Sequence, residues 1–531
     1  MKLLERKEEL LWVIPAVLCV LVFVLKLAHG PYYLVSNSDP EYAYLFNGLV
    51  LIEGNGEIGM IYHPGISLIT VVGAVIWLTN LLFGTMPLLE DVLSNPELYL
   101  NSVQVVLTLL GTFSLYYLGN RVYKYSRNFW LAVAFQLIPF SSIHILESFI
   151  SVSPDTLIVS TSLLIFCVIA DLMFGEKGRE WQHVLLLSCL TGFILVSKIN
   201  CLPIIILPFL LIPNKWHKIF YVVGSVAFFF FFFLPAIHKF QYFYEWLVDI
   251  TFHSGIYGKG EKEVANSGSI ANIIKILSGI RLLMVLPIVG FLSSILVFLK
   301  PSWLPDAYGK LLMASGVAGT LQIIMTAKHF YEGAYFYALP SLMLMLPAAI
   351  ILALVIVPML TEEYFKYGKL GFLIVLALLV IPFSPSFAKR ASYFRTLKMH
   401  GNRTISFLEK EKQYPLISSF QSSGQGYAVR FGLEFILPPK KEEYAQKAKY
   451  YYPNQYNFDI WKNKLDYWMD TVNFNQLYTT NKHIYLQGNS LDINSLPSAF
   501  AMDDSLRNSQ VSPKFLFFPS EGDRLIEFRR E

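Results

Sequence analysis

The chain has 531 residues, of which 54% are hydrophobic and only 15% carry charge. Soluble globular proteins carry about 25% charged residues, so this balance belongs to an integral membrane protein and excludes an ordinary soluble enzyme. A net charge of +4 is small for the length and gives no sign of a nucleic-acid partner.

Residues 1–28 join a basic start, "MKLLERK", to a long apolar run without a small-residue cleavage site, which predicts an uncleaved signal-anchor helix. Further apolar runs recur, most of them long enough to cross roughly 30 Å of hydrocarbon as helices. Crossings are expected near 11–28, 99–119, 129–147, 154–174, 183–198, 200–213, 219–236, 282–299, 310–327, 336–359 and 370–387. The connectors "NRVYKYSRN", "GEKGREWQ", "NKWHK", "LKPSWLPDAYGK" and "EEYFKYGK" carry lysine or arginine and read as cytoplasmic. Eleven crossings keep all of them on one side, with the amino terminus inside. Counting the apolar run 66–83 as a crossing would invert everything after it. It is therefore expected to lie along the outer interface or to re-enter, and 29–98 to form one external loop. The phenylalanine run 228–233 is expected to face lipid. The cysteines Cys19, Cys167, Cys189 and Cys201 lie in or beside apolar segments, with neither a CxxC pair nor a Cys/His spacing. Neither a disulfide framework nor a zinc site is expected from them.

Ionisable groups at a helix mouth or at membrane depth are costly unless paired or hydrated, which makes each a candidate site residue. In chain order the first are Asp39 and Glu41 of "VSNSDPEY", with Pro40 fixing the turn between them. The plain alternative is a pair of interfacial charges marking a helix end. "YHPGIS" follows, where Pro64 and Gly65 break the chain and His63 would face the same external space, or would be an incidental turn residue. In "HILESFISVSPDTL", His144 and Glu147 end one crossing and Asp155 opens the next; Ser153 is placed to cap that helix, and the dipole alone would explain Asp155. Cations on the outer side are Lys198 in "VSKINCLP", Arg281 in "GIRLLM", and Lys328 with His329 in "TAKHFYEGAYFYALP". Lys198 either snorkels to the interface or meets an anionic phosphate. Acids at one place with several cations around it, at headgroup level, suit a phosphate-bearing lipid reacting with an acceptor.

After Phe387 the chain turns polar and tyrosine-rich. "YPLISSF", "HIYLQG" and "KFLFFP" read as strands and "GYAVRFGLEFI" as a helix, so 388–531 is expected to be a soluble α/β domain, placed outside by the odd number of crossings, and 1–387 the membrane domain. "NRT" at 402–404 fits a glycosylation sequon, of consequence only in a eukaryotic secretory host.

The order of these features resembles a known family. An aspartate with a nearby acid follows the first helix, and "HP" heads an apolar stretch. After them come "SVQVVLTLLGTFSLYYLGNRVY", "SPDTL", a lysine–hydrophobe–asparagine before a proline, "KH…YFYALP" and a soluble carboxy-terminal domain. This order over about residues 10–390 is similar to the GT-C superfamily of polytopic glycosyltransferases, in its protein O-mannosyltransferase and aminoarabinose lipid A transferase branch. The resemblance implies a GT-C-like α-helical membrane protein of about 11–13 transmembrane helices with an extracytoplasmic α/β domain. It also implies transfer of a sugar from a polyprenyl-phosphate donor to a lipid, glycan or protein acceptor on the non-cytoplasmic face, and residence in a bacterial plasma (inner) membrane. Asp39 then maps to the family's catalytic base. Glu41 departs from the commoner pair of adjacent acids, "HPG" departs from the usual motif at His63, and two arginines common in the branch are replaced near Asn101 and near Ala334–Tyr335.

The chemistry expected of such a site is an inverting displacement in which a carboxylate removes the acceptor's proton while cations stabilise the departing lipid phosphate. A monophosphate donor needs no metal clamp and no DxD pair is present, so no metal or other cofactor is expected. A transporter or flippase of a lipid-linked sugar would use the same cations and is the alternative, with a structural or assembly protein as a third; internal repeats, which transporter folds commonly show, are absent from the sequence.

Overall fold

Two of the apolar runs break at prolines. In the computed structural model, residues 7–529 are described except 35–39, 55–57, 62–64, 176–177, 254–257, 259, 264–267, 300–305, 332–333, 361–363, 420, 460–463, 489–512 and 518–523, with backbone only at 296–299, 306, 354–360, 364–382, 475, 513, 515 and 517. Asp39 and His63 therefore lie outside the described residues. Among those described, eight helices are long and apolar enough to cross a membrane, nine if Gly268–Gly279 and Arg281–Ile295, bent by 116°, form one broken span. The chain is a multi-pass membrane protein.

Two of the expected crossings are not single helices. The expected crossing 129–147 is helical only in pieces, Phe129–Gln136, a 3-10 turn Ile138–Phe140 around Pro139, and Ile143–Ser148. The run 200–213 likewise divides into a 3-10 turn, Ile199–Ile205, containing Pro203, and a short helix Ile206–Leu211. A proline inside a helix removes a hydrogen bond and clashes with the preceding turn, so an apolar run containing one need not be a single helix. The stretch 370–387 lies within the 47-residue helix Tyr364–Lys410, which continues unbroken past 387–388. The run 66–83 is one continuous helix, Ile66–Phe83, with the length and composition of a crossing and half of its most apolar window buried.

The chain forms two compact units: 1–23, 61–68 and 105–387, and 24–60, 69–104 and 388–531. In the first unit, helices associate where small residues let backbones approach. Helices Val285–Leu299 and Asp306–Lys328 cross at Gly290 and Gly316, where a Cβ on Gly290 would come within 3.0 Å of the Gly316 carbonyl carbon. Without a hydrophobic driving force between helices in lipid, such close packing is what holds them together. Buried polar groups add specific ties: Gln136 Nε2 donates to the Leu11 carbonyl at 2.9 Å, and the hydroxyls of Thr191 and Tyr221 meet at 2.9 Å. The phenylalanine run is only partly lipid-facing. Phe230 and Phe231 are 40% and 58% exposed, but Phe233 is fully buried with Phe243 and Trp246. A helix turns 100° per residue, so six consecutive rings cannot share one face.

In the second unit, helix Glu41–Ile52 is buried along most of its length. Its Asn47 is fully satisfied: the amide donates to the Ala43 and Phe435 carbonyls at 2.7 and 2.9 Å and accepts from the N–H groups of Gly59 and Met60. The carboxy-terminal part forms a seven-stranded mixed sheet ordered β4-β3-β2-β1-β5-β7-β6. The strands are β1 (Leu416–Ser418), β2 (Gln455–Asp459), β3 (Lys464–Tyr467), β4 (Asp470–Thr471), β5 (His483–Gly488), β6 (Pro513–Phe517) and β7 (Arg524–Arg529). Central β1 runs parallel to β2 and β5, and the remaining pairs are antiparallel. Helices Gln425–Leu433 and Lys440–Tyr451 make the crossover from β1 to β2, as parallel pairing requires. Ile417, Leu486 and Ile526 stack across three neighbouring strands into the sheet's core. Arg430 is buried and ties the first crossover helix to β3 through two hydrogen bonds of 3.1 Å to Asp466. The three expected strands and the helix at "GYAVRFGLEFI" all form.

The glycine crossing gives a direct test. Gly316→Leu should lower stability by about 1–3 kcal/mol through overpacking, with Gly316→Ala in between, read as thermal unfolding of the purified protein in detergent. An unchanged unfolding temperature for the leucine variant would contradict the crossing.

Candidate functional site

The first unit gathers several interrupted helices at one end. Pro154 occupies the first turn of helix Pro154–Phe174, where its missing N–H costs nothing, and Asp155 follows in the same turn. Ser153 takes the cap position but makes no capping bond; its hydroxyl pairs with that of Ser151 at 2.8 Å. Helix Glu180–Ser197 ends as Lys198 turns extended, at φ −161° and ψ 116°. This brings the Lys198 ammonium to 2.8 Å from Asp155 Oδ1, with side chains only 6% and 15% exposed. The same ammonium lies 4.8 Å from the ring centre of Phe336 and 4.9 Å from that of Tyr337, within cation–π range. Both readings of Lys198, snorkelling cation and site residue, must now accommodate a carboxylate partner and an aromatic platform.

Amides hold that platform in place. Phe336 and Tyr337 sit in a 3-10 turn, Tyr335–Ala338, that leads into helix Leu339–Leu360. The Tyr337 carbonyl accepts from Thr326 Oγ1 at 3.0 Å, Gln322 Nε2 at 3.1 Å and Asn200 Nδ2 at 3.3 Å. Gln322 and Thr326 are one helical turn apart on helix Asp306–Lys328, so they share a face. The Gln322 amide also donates to the Asn200 carbonyl at 2.8 Å, which ties in the residue two past Lys198.

The other expected cations and acids divide into two groups. His144 stacks on Tyr335 at 5.1 Å between ring centres and stands 3.6 Å from Glu147, so this pair borders the aromatic turn. Arg281 is exposed and opens a 3-10 turn just after Gly279, where a Cβ would collide with the Tyr335 side chain. Lys328 and His329 do different work. Lys328 Nζ donates to the Ile250 carbonyl at 3.1 Å and to that of Thr251, while His329 Nε2 lies 2.9 Å from the Ile250 carbonyl. They satisfy the last carbonyls of helix Phe240–Phe252, a role that basic residues commonly take at helix ends.

The second unit holds a separate buried cluster around the chain that flanks Asp39. Lys26 Nζ lies 3.1 Å from the centre of the Tyr32 ring and donates to the Gly30 carbonyl at 2.9 Å. Glu97 accepts from the Tyr32 N–H at 2.9 Å and from the Tyr42 hydroxyl at 3.0 Å. Glu41 is buried at 4% exposure, and both it and Glu97 act electrostatically on Lys26. Burial, reinforced by Glu41 and Glu97, pushes the Tyr32 phenol well above its ordinary range, so it stays protonated. On the amino-terminal side of residues 35–39, Tyr32 and Leu34 are buried and the Tyr33 carbonyl accepts from the Gly424 N–H at 2.8 Å. On the carboxy-terminal side, Glu41 and Tyr42 are buried. Both ends of the segment carrying Asp39 are thus fixed by buried contacts.

Lys26, Glu97, Gln322 and Thr326 were not singled out by sequence, and Asn200, Phe336 and Tyr337 entered only as parts of motifs. A charge within an apolar run marks Lys26, and the i, i+4 spacing of Gln322 and Thr326 marks a polar stripe on an otherwise apolar helix. The Glu97–Tyr32 bond joins residues 65 apart, with no local signal. Among the described residues no group of three His, Cys, Asp or Glu side chains is placed to hold a metal ion.

Two expectations follow. A largely buried ion pair loses about 3–5 kcal/mol when one partner is removed, whereas an apolar replacement of both can be nearly neutral. Asp155→Leu and Lys198→Met should each destabilise by about 3 kcal/mol and the double variant by clearly less than their sum, in chemical unfolding of the purified chain; simple additivity would contradict the coupling. Glu97→Gln removes charge-assisted hydrogen bonds and should cost about 1.5–3 kcal/mol in the same assay.

No protein-family model matches the chain, and no curated protein matches it. Two solved structures are similar to it along nearly their whole length. ArnT from Cupriavidus metallidurans bound to undecaprenyl phosphate is 12% identical with a TM-score of 0.47, covering 97% of each chain. The same protein in the apo state is 12% identical with a TM-score of 0.44, covering 96% of each chain. A likeness at these scores assigns no activity.

Proposed function

We propose that the chain is a membrane glycosyltransferase that moves a sugar from a polyprenyl-phosphate donor to an acceptor hydroxyl or amine on the non-cytoplasmic face. The observation that carries this reading is the Lys198 ammonium, held by Asp155 against two aromatic rings at a helix mouth. Placing a paired ammonium among apolar helices is costly, and such groups mark binding sites in membrane proteins more often than they mark simple anchors. Ammonium groups are common partners of phosphate, and the neighbouring Phe336 and Tyr337 offer apolar surface to the lipid end of the same molecule.

The bonds balance in one displacement. The acceptor oxygen or nitrogen forms a bond to the anomeric carbon from one face as the bond from that carbon to the phosphate oxygen breaks on the other, which inverts the centre. Asp39 takes the acceptor's proton, and the departing lipid phosphate keeps the electron pair of the broken bond. Lys198 stabilises that charge, with Arg281 and His144 bordering the same turn. Glu41, buried one residue past Pro40, positions the segment that carries the base rather than exchanging protons itself. No metal takes part.

One observation favours a lipid-linked-sugar transporter instead. Helices Gly268–Gly279 and Arg281–Ile295 meet at 116°, and broken helices are common around transporter sites.

The discriminating experiment supplies purified protein with a labelled polyprenyl-phosphate sugar and a mixture of lipid, glycan and peptide acceptors. Transfer is expected to release the lipid phosphate and label an acceptor. Asp39→Asn should slow it by about 10²–10⁴-fold, and Lys198→Met by about 10²-fold. A chelator should leave the rate unchanged. Unaltered turnover by Asp39→Asn would remove that residue as the base, and donor movement across vesicles without chemistry would establish the transporter.

A further inference from the structure

Helix Pro154–Phe174 carries Asp155 at one end and a second polar group, around Asp171, at the other, 16 residues or about 24 Å away along its axis. Beside that far end lies a narrow, partly open cavity. Its floor is apolar and buried, formed by Phe166, Leu207, Leu344 and Pro347. Its lips are Phe174 and Tyr308, with ring centres 5.6 Å apart.

Polar and basic groups neighbour the lining residues Tyr125 and Ser126. Tyr125 lines the cavity and donates through its hydroxyl to Asp171 Oδ1 at 2.6 Å. Arg121 Nη1 stands 3.4 Å from the same carboxylate, while its buried Nε makes no hydrogen bond. Lys124 lies 5.5 Å from the Tyr125 ring, and Lys124 and Arg127 are exposed. Three cations thus stand within seven residues of the connector 120–128, which contains no acid of its own, and Arg121 pairs with Asp171.

We propose that this cavity holds an acyl chain of an anionic phospholipid from the surrounding leaflet, with its phosphate at Arg121, Lys124 and Arg127. The interior offers a hydrocarbon chain an apolar lining but offers a polar ligand few hydrogen-bond partners. The positive charge lies on the connector that carries the lining residues Tyr125 and Ser126, where a lipid headgroup would stand. Basic pockets between membrane helices select anionic headgroups in this way, each cation near the surface contributing about 1 kcal/mol. The site is separate from the Lys198 cluster and does not depend on the reading of the chain as a transferase.

The test uses the full chain purified in detergent, with phosphatidylglycerol or phosphatidylcholine of identical acyl chains added back. Native mass spectrometry should show phosphatidylglycerol retained at least about tenfold more strongly, as expected from the connector cations. The exposed double variant Lys124→Gln, Arg127→Gln should lose most of that preference while retaining phosphatidylcholine as before. Ala170→Phe, which fills the cavity from its wall, should lose retention of both lipids, with its lipid-free unfolding temperature reported alongside to show that it folds. Equal retention of the two lipids by the unsubstituted protein would overturn the proposal. So would undiminished preference in the double variant, which decides the matter even if Ala170→Phe fails to fold.

Discussion

The constraint on which this structure depends is that a backbone amide or carbonyl in hydrocarbon must find a partner inside the protein. Continuous helices meet it without help, but this chain interrupts its helices repeatedly, at Pro139, Pro203 and the turn Tyr335–Ala338. Each interruption frees carbonyls that 3-10 backbone bonds and side chains then satisfy. The three donors converging on the Tyr337 carbonyl are one answer, and Lys328 and His329 on the last carbonyls of helix Phe240–Phe252 are another. The polar groups that a membrane protein can deploy for chemistry therefore collect where its helices break. The candidate site is a consequence of those breaks as much as of any single residue.

The same constraint explains why Lys198 and Asp155 belong together. A lysine at the end of a helix can escape to the interface along its flexible stem. Lys198 does not: its side chain is 6% exposed and its ammonium is held by a carboxylate and two rings. Desolvating both charges offsets much of their attraction, so the pair is a poor device for stability alone. An ammonium already stripped of water and oriented is, however, well prepared to meet a phosphate, because little reorganisation remains when charge develops.

Much of the fold was legible in the sequence because its signals are local. Apolar length predicts spans, and alternation with turn residues predicts the strands at 416–418, 483–488 and 513–517, all of which form. Length misled at 129–147 and 200–213, where hydropathy outweighed the prolines that divide those runs. Uniform composition misled at 228–233, since hydropathy cannot say which rings face lipid and which face protein. The site was legible only at its charges. Asp155 and Lys198 stood out because ionisable groups are rare in such a chain. Their partners Phe336, Tyr337, Gln322 and Asn200 did not, because aromatic and amide residues are ordinary at helix ends and the contacts span up to 137 residues of sequence. Glu97 went unnoticed for a related reason: an acid in the first turn of a helix is already explained by the dipole, whereas its bonds to Tyr32 and Tyr42 arise from the tertiary fold.

Helix Pro154–Phe174 connects two sites of opposite character. At its amino-terminal end an acid meets a buried ammonium beside aromatic rings; at its carboxy-terminal end an acid is shared by a tyrosine and an arginine beside an apolar cavity. The intervening turns are almost wholly buried, with Thr156, Ser160 and Ser162 each inaccessible to solvent or nearly so. A helix packed on all sides moves as a rigid body or not at all, because close-packed interiors do not deform continuously. Occupancy of the cavity at one end is therefore able to bias the position of Asp155 at the other only through displacement of the whole helix.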